Sequence, residues 1–171
     1  VPDRRRGRWA HVSGDVTESG RPRQLDEARA FLTGLRVTLG LDPGRLVIVP
    51  GARDVSRSAC EAYFHACEAR ERTPVEPYFP KLELWAELFA ELYDGLDGPV
   101  FDHAQPWTLF AVPELQVAIA ALNSTMAVTH RHGDDYGRIG EAQASWFAER
   151  LRHFEESGWL RVGVVRHDPI P

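Results

Sequence analysis

The run Leu46-Val47-Ile48-Val49 contains no polar residue and stops at Pro50-Gly51. A strand without polar alternation has no face to give to water, so it must be covered on both sides. That demand points to helices layered on a sheet, and the flanking sequence can supply them. Residues 24–41 read as a helix, with Leu25, Ala28, Phe31, Leu32, Leu35 and Leu39 at spacings of three and four. Residues 56–70 read as a second helix with Ser56 as its N-cap. Residues 81–92 form a third, with Leu82, Trp85, Leu88, Phe89 and Leu92 on one face. Residues 141–156 form a fourth, ended by Gly158 as its C′ residue.

Strands are predicted at 8–13, 46–49, 107–112, 115–122 and 159–166. The two central ones meet across Pro113-Glu114 as an antiparallel hairpin. Asp42-Pro43-Gly44 is a turn. The stretch 73–80, with its three prolines, reads as loop, as do 94–106 and the polar segment 123–140. The expected architecture is an α/β layered sandwich in which a mixed β-sheet is flanked by helices.

A chain of 171 residues suits one domain, here 9–171, after a basic stretch at 1–8 expected to fray in solvent. The net charge of -5 gives no general attraction to nucleic acid or to an anionic membrane. No apolar run reaches the roughly 18 residues of a membrane span, and no secretory h-region is visible. Cys60 and Cys67 lie seven apart on one helix, about 10 Å by helical rise, too far for a mutual disulfide. Two lone cysteines suit a reducing compartment, and a cytoplasmic location is expected.

The strand ends carry the residues with chemistry. Gly14-Asp15 follows the first strand and Gly51-Ala52-Arg53-Asp54 follows the second. Ligands and metals in open α/β sheets are held at such ends. After Gly14-Asp15 come Val16-Thr17-Glu18-Ser19-Gly20. Ala121-Leu122-Asn123-Ser124 closes a later strand. Gly137-Arg138-Ile139-Gly140-Glu141-Ala142-Gln143, then Trp146-Phe147 and Leu151, opens the last helix. Arg166-His167-Asp168-Pro169 follows the last strand.

In that order, these motifs resemble the calcineurin-like metallophosphoesterases, in particular their cyclic-nucleotide-phosphodiesterase-like branch. The resemblance runs from about residue 9 to the end. It implies a metallophosphoesterase-like fold, incomplete at both ends, because the family's opening D-x-H and closing G-H-x-H are absent from this sequence. It also implies hydrolysis of a phosphoester by water activated on two divalent ions, Mn, Fe, Zn or Mg. By the same resemblance Asp15 would bridge the metals and His167 would ligate one. The catalytic position falls on Arg53, with Asp54 supporting it.

Two substitutions stand inside the third motif. Ala52 takes the place of a metal-binding asparagine, and a methyl cannot ligate. Arg53 takes the place of a histidine; it can bind phosphate but is a poor acid near neutral pH. The expectation is therefore a metallophosphoesterase domain with weak or no hydrolysis. The alternative is a non-catalytic sensor or scaffold module in a larger signalling or defence protein, with no metal bound. The expected ligand is a phosphoester small molecule or a nucleotide, and the expected partners are another protein or further segments of the same gene product. His130 and His132, in Thr129-His130-Arg131-His132, read as exposed loop histidines, and Asp134-Asp135 as a solvated pair.

Overall fold

The structure is a computed structural model that describes residues 8–168. All of the stretch 1–8 except Arg8 lies outside those residues. The chain is mixed α/β, with four α-helices and two small open sheets among the described residues. In chain order the elements are β1 (Ala10–Val12), α1 (Pro22–Leu39), β2 (Leu46–Ile48), α2 (Arg57–Glu68), α3 (Glu83–Leu92), β3 (Thr108–Val112), β4 (Val117–Ala121), α4 (Glu141–Glu156) and β5 (Leu160–Val164).

The sheets differ from the single mixed sheet expected. β1 and β2 form a parallel pair of their own. β3, β4 and β5 form the mixed sheet, antiparallel between β3 and β4 and parallel between β4 and β5. The hairpin falls where the Pro113-Glu114 signal put it, through a 3₁₀ turn at Pro113–Leu115. β2 is buried throughout, as its apolar run requires. At the start of β2 the Tyr93 hydroxyl donates to the Leu46 carbonyl at 2.6 Å, so a side chain satisfies that buried acceptor.

Side-chain alternation sorts the three-stranded sheet into two faces. Phe110, Val112, Val117, Ile119 and Ala121 face the main core with β2, the buried stripe of α1 and the apolar face of α3. On the opposite face, Leu109 and Ala120 pack with Trp107 and Met126 against Phe147, Trp146 and Leu151 of α4. The layers are thus α4, the mixed sheet, then the β1–β2 pair with α1 and α3.

Local signals explain most boundaries. Ser56 caps α2 by accepting the Ala59 N–H at 3.3 Å. Gly158, at φ +73°, closes α4. Helix α1 begins at Pro22, two residues earlier than periodicity suggests, because proline suits a first helical position. Its buried stripe is narrower than the sequence implies. Leu25, Ala28 and Leu32 are buried, whereas Phe31 remains 60% exposed. In α2 only Cys60 and Cys67 are buried, both as free thiols.

Candidate functional site

The ends of β1 and β2 are joined by one carboxylate. Asp54 is 1% exposed. Its Oδ2 accepts the backbone N–H groups of Asp15 at 2.7 Å and Gly51 at 2.8 Å, and its Oδ1 accepts that of Thr17 at 2.9 Å. Thr17 returns a bond from its hydroxyl to the Arg53 carbonyl at 2.7 Å and receives the Gly20 N–H. Burial pushes the Asp54 carboxyl above its ordinary range, and the three amides pull the other way.

This stapling requires very close backbones. A Cβ at Gly14 would lie 2.6 Å from the Gly51 nitrogen, and Gly14 sits at φ +83°. A Cβ at Gly51 would collide with the Asp15 carboxylate. Asp15 itself is left-handed at φ +55°, a conformation that aspartate and asparagine adopt more readily than most residues.

The turn aims the Asp15 carboxylate at an arginine. Oδ1 accepts the Arg53 backbone N–H at 3.1 Å. Oδ2 accepts Arg166 Nε at 2.8 Å and also a shorter bond from Arg166 Nη2. Arg166 follows β5, so this pair connects the two sheets at their C-terminal ends. The carboxylate side chain is 17% exposed and the guanidinium side chain 41%.

His167 is fully engaged. Its Nε2 meets the Asp135 carbonyl at 2.9 Å, and a carbonyl can only accept, so Nε2 carries a hydrogen. In the neutral ring Nδ1 is then the acceptor, and the Ser124 hydroxyl donates to it at 2.7 Å. Neither ring nitrogen has a lone pair left for a metal.

Asp15, Arg53, Arg166 and His167 line one cleft of about 480 Å³, together with Ser19, Arg57 and other residues. Asp54 is not among the lining residues, and its carboxylate bonds to backbone amides rather than to the Arg53 side chain. Among the described residues neither the Arg53 nor the Arg57 guanidinium has a hydrogen-bond or ion-pair partner. Glu18 and Asp135 also line the cleft, so its charge is mixed.

The donors do not fit a pair of divalent ions. Such a centre needs several free carboxylate or imidazole donors around each ion. Asp15 is spent on Arg166 and Arg53, Asp54 on three amides, and His167 on Ser124 and Asp135. No group of three or more His, Cys, Asp or Glu side chains suited to a metal occurs among the described residues.

A second buried charge supports the site from behind, and the sequence reading gave it no role beyond opening the third helix. Lys81 lies in a 3₁₀ turn at Phe79–Leu82 and is 1% exposed. Its Nζ donates to the carbonyls of Thr125, Met126 and Val128 at 2.8, 3.1 and 2.5 Å. The segment 123–129 is consequently buried backbone rather than polar surface loop. Gln143 pins the start of that segment, accepting the Asn123 N–H and donating to the Asn123 carbonyl. The segment also carries Ser124, which holds His167. The available signal was register: Lys81 lies four residues before Trp85, on the apolar stripe of the helix.

The loop beyond is also more ordered than expected. His130 is half-buried against the edge of Phe64, with ring centroids 4.9 Å apart, while His132 is exposed. Asp134 accepts the Thr129 hydroxyl at 2.7 Å. No helix is long and apolar enough to cross a membrane among the described residues. Comparison with protein-family models, curated proteins and solved structures gives no match to the chain.

Proposed function

We propose that this chain is a phosphate-recognising domain of metallophosphoesterase ancestry, in which the cleft binds a phosphoester or nucleotide without hydrolysing it. One observation carries the reading. Three arginines, Arg53, Arg57 and Arg166, line the cleft at the Gly14-Asp15 and Gly51-to-Asp54 turns. Guanidinium groups present paired N–H donors that match phosphate oxygens. Among the described residues, two of the three have no hydrogen-bond or ion-pair partner to give up.

The ancestry is supported by the ordered motifs, since Thr17, Asn123, Ser124, Gln143 and His167 all serve the turns or segments around the cleft. The lack of hydrolysis is supported by the donors. A phosphoester transition state needs a nucleophile activated and a leaving group protonated. Arg53 cannot protonate near neutral pH. The two buried, unpaired thiols suit a reducing compartment, and we place the domain in the cytoplasm.

The test is a ³¹P NMR titration of the protein with phenyl phosphate. Saturable binding is expected, weakened about tenfold or more in Arg53→Ala/Arg57→Ala, because charge-assisted hydrogen bonds are lost. Absence of binding would end the anion reading. Hydrolysis of an aryl phosphodiester with added Mn²⁺ is expected to match the Asp15→Ala background. Robust turnover abolished by that substitution would restore the enzyme reading.

A further inference from the structure

The Asp15–Arg166 pair has a role that a metal ligand could not have. We propose that Arg166 is a tethered cation standing in for the metals at the strand ends, and that Asp15, which holds it, is a built-in competitor of a phosphate ligand. This rests on the anion-binding reading of the cleft.

Asp15 faces two N–H donors of Arg166 and one backbone N–H of Arg53. A carboxylate that already accepts three hydrogen bonds has little capacity left for an ion. Arginine carries five N–H groups and spends two of them here, which leaves three that Asp15 does not use. The guanidinium is partly exposed in the wall that Arg53 and Arg57 share. Its charge therefore lies where a phosphate can reach it, and the carboxylate holding it is part of the same wall. A phosphate that enters gains the free donors of Arg166 and meets repulsion from Asp15. The carboxylate thus subtracts from anion affinity, whereas a bridging metal ligand would be essential to it.

The two roles predict opposite results for one substitution. Asparagine tolerates the left-handed backbone at position 15, and its carbonyl oxygen can still accept the Arg53 N–H. Asp15→Asn should keep the fold, as an unchanged thermal midpoint and amide NMR spectrum would show. It should tighten inorganic phosphate binding about two- to fivefold, the worth of one partly exposed ion pair. Arg166→Ala should weaken it about tenfold. Arg166→Lys should fail to restore it, because an ammonium cannot hold Asp15 and a phosphate with separate fixed donors.

Isothermal titration of the wild-type chain with inorganic phosphate should be unchanged by EDTA or by added Mn²⁺. Binding that requires Mn²⁺, or that is lost in Asp15→Asn, would overturn this inference and leave the anion reading in place. Retention of full affinity in Arg166→Ala would overturn it as well. No phosphate binding in any of these proteins would overturn both.

Discussion

Asp54 and Lys81 each use one buried charge to organise irregular backbone, with opposite polarity. Asp54 gathers three N–H groups from the two turns that face the cleft. Lys81 gathers three carbonyls from the segment behind it. Amides left over at turns after strands need an acceptor, here an anion, and carbonyls left over where a segment folds back need a donor, here a cation. In both places the alternative is an orphaned buried polar group, which costs more than the hydrogen bond contributes. The difference lies in what each clamp supports. Asp54 joins β1 to β2 and holds the turns that line the cleft, whereas Lys81 reaches the cleft only through Ser124 and His167.

Removing the anion should have the larger effect. Asp54→Ala leaves three buried amides without an acceptor, and a loss on the order of 3 kcal/mol or more is expected in urea unfolding. Asp54→Asn should recover only part of it, since its amide nitrogen would face an N–H donor. A loss under about 1 kcal/mol in Asp54→Ala would break the parallel between the clamps.

Lys81→Met should cost less, about 2 kcal/mol. The thioether chain fills the same channel and the burden of a buried charge disappears, while three carbonyls lose their donor. Hydrogen exchange should localise the damage to 123–129. Uniform loss of protection across the domain would instead make Lys81 part of the global core.

The clamps should also respond oppositely to pH. Burial lowers the Lys81 pKa from 10.5 to about 7. Between those values the unfolded chain binds more protons than the folded one, so the stability attributable to Lys81 rises with pH. The difference between wild type and Lys81→Met should grow as pH increases from about 7 toward 10.5. Burial raises the Asp54 pKa above 3.8. There the folded chain binds more protons, so the contribution of Asp54 falls as pH rises from 3.8 through its folded value. Parallel pH slopes in Lys81→Met and Asp54→Asn would erase the contrast. The smallest effect belongs to Ser124→Ala, about 1 kcal/mol, with the His167 ring signals shifted in NMR.

Legibility in the sequence followed the same division. The helices and the hairpin of β3 and β4 rest on periodicity and turn chemistry, which act locally. The separation of β1 and β2 into their own sheet depends on what packs beside them, and no local pattern records that. Gly14, Asp15, Gly51 and Asp54 stood out because turns after strands have a recognisable composition. Arg166 did not, because an arginine beside a histidine is ordinary until the fold brings it across the sheets to Asp15. Lys81 was hidden by its charge, which argued for the surface while its register argued for the interior.

The near-contact of Gly14 and Gly51 has a consequence for how such a site can change over time. Neither position can accept even a methyl group without forcing the two turns apart. Positions 52 and 53 line the cleft and already carry a Cβ, so neither is closed to a side chain in that way. The platform and the tools mounted on it are therefore under separate mutational control: the tools can be exchanged one at a time while the platform stays rigid. A saturation library scored for folding should show a sharp boundary between Gly51 and Ala52, intolerant on one side and permissive on the other. A fold built this way can keep the shape of a reaction site long after it has been turned to another use.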